Sequence, residues 1–297
     1  MTAMQPRFSR RSIAIAVALA SVASLAIGVH AAFGKRALDA AKAIATEQSG
    51  DAEKKASRIA LVIGNGHYPD ADAPLTQTIN DARALTAALG RDGFEVDIVE
   101  DASSDDMHRA IDRLKSNIRP DSVVMLFFGG YGIQVGREKY MIPVDAAIWK
   151  ESDARREGLG IEAVLDLMKE QGARARLVVI DASRRNPYER RFRTFSRGLA
   201  PINASDNALV LTSASPGKVA DDSKGQHSVL MAELLNNLNA QATGAETVFN
   251  KTRVAIARSS DGEQVPSVSS SLSADVQLVM DADWSAEPAG KLNSLVP

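Results

Sequence analysis

The feature that most limits what this chain can fold into is an alternation, from Arg58 onward, of short apolar runs with longer amphipathic stretches. Residues 59–63 form a continuous apolar run closed by Gly64-Asn65-Gly66, the pattern of a strand buried on both faces that feeds a loop. Asn80-Asp81 reads as the cap of a helix running to about Leu89, where Gly90 stops it. Residues 94–99 alternate as a second strand, 103–106 open a helix that ends before Pro120, and 123–128 make an uninterrupted apolar third strand. A helix over 160–170, strands at 177–180 and 208–211, helices around 227–238 and 247–258, and a closing strand at 276–279 complete the series. Strands separated by helices pair in parallel through crossovers, and fully apolar strands belong to sheets covered on both sides. The pattern predicts an α/β fold, with a mostly parallel central sheet of about six strands flanked by helices on both faces. In such sheets the working loops follow the carboxyl ends of the strands, which points to residues 129–134 and 181–187.

Ahead of this repeat, Arg7, Arg10 and Arg11 precede an uncharged apolar run of 18 residues, 12–29, and a small-residue site at Val29-His30-Ala31. That order is the pattern of a secretory signal. At ~1.5 Å rise per residue the same run is long enough to cross a bilayer as a retained anchor. Residues 1–31 are therefore read as signal peptide or membrane anchor, 32–57 as a charged, Ala-rich linker or helix, 58–280 as the folded domain and 281–297 as a C-terminal tail. The domain is expected to be exported, in the periplasm or held on the inner membrane facing it.

There is no cysteine anywhere in the chain. Disulfides, thiolate metal sites and thiol catalysis are thereby excluded. A formal net charge of −2 provides no field favouring nucleic acid, and no His/Asp/Glu grouping has metal-site spacing. Neither a nucleic-acid partner nor a metal or other cofactor is expected.

The third strand is followed by Phe127-Phe128-Gly129-Gly130-Tyr131-Gly132, the fourth by Asp181-Ala182-Ser183-Arg184-Arg185-Asn186-Pro187. Here the chain resembles the bacterial caspase-like peptidases of the metacaspase and orthocaspase group. That family's corresponding loops read roughly Tyr-Ala-Gly-His-Gly and Asp-Ala-Cys-Arg-Asp-Asn-Pro, the His and Cys forming its catalytic dyad. The resemblance continues in order through residues 58–65, 75–83, Tyr140-Met-Ile-Pro-Val-Asp145, 196–201, 212–217, 264–266 and 269–272. It implies a caspase-like fold and, for intact members, Arg- or Lys-directed cysteine endopeptidase activity. It also implies that Asp181 and Asp222 line a pocket for a basic side chain.

The dyad positions hold Tyr131 and Ser183. A cysteine peptidase needs a thiolate and a His to lower its pKa and move protons. Tyr, with a reference pKa of about 10, is not a poised base at neutral pH. Ser183 lacks the Gly-x-Ser-x-Gly elbow, its flanks being Ala182 and Arg184. The expectation is a pseudopeptidase that binds a peptide or protein partner, with Tyr131 plugging the cleft. A residual hydrolase using Ser183 and a base such as His227, or a purely structural envelope protein, are the alternatives. Local roles stay open for the acids: Asp181 as a strand-end cap and Asp222 in a solvated turn. His227 reads as a helix-start or surface residue, with no orienting acid at a recognisable spacing, and His67 is the other histidine within reach. Arg184, Arg185, Arg190, Arg191, Arg193 and Arg197, with Tyr188, Phe192 and Phe195 interleaved, make a basic loop read as solvated, with acidic partners or anionic lipid as the alternative.

Overall fold

The structure, a computed structural model, describes residues 57–69, 74–182, 199–218, 225–239 and 244–278, all within the unit Ala56–Pro297. Ser183, Asp222, the basic loop at 184–197, the export segment 1–31, the linker up to residue 56 and the tail 281–297 lie outside the described residues.

Strand β1 (Arg58–Gly64) leads into helix α1 (Thr76–Arg91), then β2 (Glu95–Glu100), α2 (Ser104–Asn117) and β3 (Val123–Gly129). Next come β4 (Gly132–Val135), β5 (Glu138–Met141), α3 (Glu151–Glu157), β6 (Leu159–Gly160) and α4 (Ile161–Glu170). The chain continues through β7 (Ala175–Asp181), β8 (Ala208–Thr212), α5 (Val229–Leu238), α6 (Ala245–Ser259) and β9 (Ser267–Ser270). Six of the strands form the central sheet in the order β2-β1-β3-β7-β8-β9, parallel throughout except for antiparallel β9.

Period-two alternation sends the apolar residues of each strand to opposite faces. Ala60, Val62, Met125 and Phe127 face one side, where Leu85 and Leu89 of α1, Leu234 of α5 and Phe249 of α6 cover them. Leu61, Ile63, Leu126 and Phe128 face the other, against Met107 and Leu114 of α2 and Val164 and Met168 of α4. Phe127 and Phe128 are both fully buried, on opposite faces, each burial contributing about 1.5–3 kcal/mol. That two-sided burial is why β3 is apolar at every position.

The register sets up the site. Glu100 pairs with Gly64, Gly64 with Gly129 and Gly129 with Asp181, so one row crosses the sheet at its carboxyl edge. Helix α1 lies across the middle of this row. A Cβ on Gly64 would stand 2.7 Å from both the Ala82 Cβ and the Thr78 carbonyl oxygen, and one on Gly129 3.3 Å from the Thr78 Cβ. Glycine at residue 64 is what lets helix and strand approach so closely.

Three expectations are corrected. Asn80 and Asp81 do not cap α1: the helix begins at Thr76, and Asp81 sits buried within it. An acid near an apolar run looks like a cap in sequence, whereas this one serves another helix across the fold. Among the described residues, 276–278 form no strand of the central sheet and Gln277 makes an isolated bridge to Gly244; the sixth strand is β9. The sequence Ser267-Val268-Ser269-Ser270 carries no apolar run because this strand pairs at the margin of the sheet and is only partly buried. Residues 132–135 are strand rather than loop, since β4, β5 and β6 form a small antiparallel sheet that pattern alone did not reveal.

Candidate functional site

The site begins where β3 runs out. The Gly130 N–H donates to the Asp181 carbonyl at 3.2 Å and the Gly132 N–H to the Ala182 carbonyl at 3.1 Å, stitching this turn to the end of β7. A Cβ on Gly130 would stand 2.5 Å from the Tyr68 hydroxyl, and one on Gly132 3.1 Å from the Ala182 Cβ. The glycines on either side of Tyr131 thus permit the close contact of the two strand ends.

Tyr131 is turned into the protein, with 8% of its surface exposed. Its ring meets that of Tyr68 edge to face, centroids 4.7 Å apart, in an apolar cluster with Ile133, Tyr140 and Ile142. The Tyr131 N–H donates to the Tyr68 hydroxyl at 3.1 Å, and that hydroxyl donates to the Ile142 carbonyl at 2.8 Å. The Asn65 amide donates to the same carbonyl at 3.2 Å and accepts from the Ala102 N–H at 2.9 Å. The loop after β1 therefore exists to hold the segment around Tyr131, which accounts for Asn65 and Tyr68 in otherwise apolar surroundings.

Asp181, 1% exposed, ends β7, and Asp81, wholly buried, faces it from α1. Helix geometry explains the meeting: Thr78 lies against Gly129, the cross-strand neighbour of Asp181, and Asp81 is one turn further on. Asp81 accepts from the Ser228 N–H, at 3.3 Å to Oδ1 and 3.2 Å to Oδ2, so it caps the start of α5. Its Oδ1 also lies 2.8 Å from Nδ1 of His227. The turn before α5 is pinned to α1 by Gln77 donating to the Gly225 carbonyl at 3.0 Å and Asn80 to the Gln226 carbonyl at 3.2 Å. Burial, followed by repulsion from Asp181, pushes the Asp81 carboxyl up to about 6, against the opposing bonds from His227 and Ser228.

Of the residues expected at the site, Tyr131 and Asp181 meet at the carboxyl end of adjacent strands. His227 has an orienting acid after all, Asp81, supplied by a helix 146 residues away in sequence. His67 is exposed and held by Asp101, its Nδ1 2.6 Å from Oδ2. Asp81 is the residue that sequence reasoning missed; the only available signal was an acid where the apolar face of α1 should continue. Among the described residues no group of three or more His, Asp or Glu side chains is arranged for a metal ion.

A family model described as the Caspase domain of peptidase C14 matches residues 57–277. The chain belongs to the caspase-domain family. The human mucosa-associated lymphoid tissue lymphoma translocation protein 1 is 29% identical over 148 residues, 48% of this chain. Its mouse homolog is 30% identical over the same length. The chain spans only 17% of the length of these curated relatives. The crystal structure of Caspase-1 from Spodoptera frugiperda superimposes with a TM-score of 0.54 at 17% identity, over 77% of this chain and 92% of that one. The expected caspase fold is thereby established: a mostly parallel six-stranded sheet with helices on both faces.

The buried acid of this caspase domain makes a stability prediction. The neutral form of Asp81 is favoured in the fold, so its contribution is complete below about pH 4 and lost as pH rises through about 6. Asp81→Asn keeps the shape and one acceptor while abolishing the charge. Urea unfolding should find the variant about 2–3 kcal/mol further ahead of wild type at pH 8 than at pH 4.5. A gap that does not change with pH would refute this account of Asp81.

Proposed function

We propose that this chain is an exported caspase-domain protein of the bacterial metacaspase type that has lost peptidase activity. In this reading it holds a peptide or protein partner by a basic side chain at the corner formed by Asp181 and Asp81. The observation that carries the reading is the burial of Tyr131 against Tyr68, at the position the family fills with its catalytic His, beside an acidic corner that is kept. A phenol packed into an apolar cluster does not take a proton from a nucleophile at neutral pH. Burial and the nearby Asp181 disfavour the charged form of Asp81, and a guanidinium reaching the two acids favours it with charge-assisted bonds.

The test uses the full chain and peptides ending in Arg or Lys. Cleavage should stay at background, Ser183 should not label with a fluorophosphonate, and Asp181→Ala should weaken binding of an Arg peptide about tenfold or more. Labelling that vanishes on Ser183→Ala would overturn the inactive reading. Failure to bind any basic peptide would leave a structural role in the envelope.

A second reading, a residual serine hydrolase, is favoured by the 2.8 Å contact that gives His227 an orienting carboxylate, as an imidazole base needs. The same fluorophosphonate experiment on His227→Gln separates it, because only a hydrolase would lose label. Export belongs to the same proposal. Among the described residues no helix is long and apolar enough to cross a membrane, and the apolar run 12–29 lies outside them. Sequencing the N-terminus of the mature protein distinguishes cleaved signal from retained anchor.

A further inference from the structure

The chain contains one Asn-Gly pair, Asn65-Gly66, in the loop that follows β1. Such a dipeptide is chemically fragile, because glycine puts no side chain in the way of its own nitrogen. The Gly66 nitrogen gives up its proton and attacks the Asn65 Cγ; the bond from Cγ to the amide nitrogen breaks, ammonia leaves, and a cyclic succinimide remains. Water then opens the ring at either carbonyl, leaving aspartate or isoaspartate at residue 65. Either product would undo the seat of Tyr131. The Ile142 carbonyl, which also holds Tyr68, would lose its Asn65 donor and gain a buried negative charge beside it.

In the folded chain every polar group of the pair is engaged. The Asn65 N–H donates to the Gly129 carbonyl at 2.8 Å, and the Asn65 carbonyl accepts from the Thr78 hydroxyl at 2.8 Å. Its side-chain amide donates to the Ile142 carbonyl and accepts from the Ala102 N–H, so Cγ is fixed by bonds on both of its atoms. The Gly66 carbonyl accepts from the Leu75 N–H at 2.8 Å, and the Gly66 N–H donates to Oδ1 of Asp101 at 2.8 Å. The same oxygen takes the His67 N–H at 2.9 Å. Asp101 reaches back in this way with a φ of 48°, a left-handed conformation that residues other than glycine enter at some cost.

The bond from Gly66 to a carboxylate opposes the first step twice. It occupies the proton that must leave, and it sets a negative charge beside the nitrogen on which negative charge would develop. Asp101 is itself a poor base for that proton. Burial works to raise its carboxyl, but donation from the His67 and Gly66 N–H groups and from the His67 ring outweighs burial and holds the group below its ordinary range. We propose that Asn65-Gly66 is a latent deamidation site and that Asp101 is its guard, so that the pair reacts only when the loop after β1 opens. Each opening then carries a chance of permanent chemical change, and the caspase domain loses its Tyr131 seat with age rather than with any ligand. This inference stands apart from the basic side-chain reading above.

The test incubates the full chain at pH 8, well below its melting transition, and follows residue 65 by fragment-ion mass spectrometry, with wild type in denaturing urea as the unprotected reference. Deamidation in the folded chain should be at least about a hundredfold slower than in urea. Asp101→Gly removes the carboxylate at a position whose φ suits glycine, and should react about tenfold or more faster than folded wild type. Asp101→Asn keeps an acceptor for the Gly66 N–H and should stay within about threefold of wild type. Wild type reacting as fast as the urea reference overturns the protection, and Asp101→Gly reacting no faster than wild type overturns the guard. Should Asp101→Gly not fold, wild type in subdenaturing urea decides. Hydrogen exchange at the Gly66 N–H and deamidation at residue 65 must then rise in proportion, and deamidation that stays flat while the N–H exchanges faster refutes the proposal.

Discussion

Replacing Arg176 by alanine is expected to remove about 4 kcal/mol of stability, enough to unfold much of a typical domain at physiological temperature. Arg176 lies on β7 one residue into the strand, yet its side chain is fully buried. Its guanidinium donates to the Leu165 carbonyl at 3.0 Å, the Ser205 carbonyl at 2.5 Å and the Asp206 carbonyl. Burial pulls its pKa below the ordinary arginine value, with the carboxylates of Asp206 and Asp166 opposing. Alanine would orphan these carbonyls and open a cavity between α4, β7 and the turn before β8, two costs that add. Urea denaturation of wild type and variant measures the difference directly. A loss under about 1 kcal/mol would show that water satisfies the carbonyls and that the guanidinium is not what holds the turn.

The second large effect is a gain. The variant carrying both Tyr131→His and Ser183→Cys is expected to cleave Arg-ending peptides at least about a hundredfold faster than wild type, and neither single variant to do so. The reason is that what the caspase domain has lost is confined, in our reading, to the reacting groups. The turn that presents residue 131 is still stitched to β7 by the Gly130 and Gly132 bonds, and the Asn65 and Tyr68 contacts still hold the segment behind it. Histidine is smaller than tyrosine and enters the same space without overpacking. A thiol without the imidazole is weakly ionised, and an imidazole without the thiol has nothing to activate, so the pair acts as a unit. Peptide turnover read alongside iodoacetamide labelling separates a reactive thiol from a working dyad. A double variant that labels but does not cleave would mean the loss extends beyond those two positions.

How far the chain could be read in advance depended on where burial was two-sided. Strands β1, β3 and β7 are apolar at nearly every position because helices cover both faces, and continuous runs of that kind are visible without any coordinates. Helix α2 was legible for a local reason: Ser103 accepts from the Asp106 N–H while Asp106 accepts from the Ser103 N–H, a reciprocal cap contained in four residues. Strand β9 and the sheet of β4, β5 and β6 were not legible, because pairing at a margin demands neither length nor an apolar run.

Sequence by itself determined the absence of thiol chemistry, the α/β pattern of alternating strands and helices, and the identity of the residue at each strand end, Tyr131 and Asp181 among them. Those are properties of composition, periodicity and order, which the chain carries whatever its shape. Only the tertiary structure decided that Tyr131 packs inward on Tyr68, that Arg176 is a buried clamp rather than a charge bounding a strand, and that Asp81 faces Asp181 and holds His227. Each of those facts is a contact between separate elements, from 11 residues apart for Arg176 and Leu165 to 146 for Asp81 and His227. Such contacts arise from the register of a parallel sheet and the helix laid across its end, and local sequence has no means of encoding them.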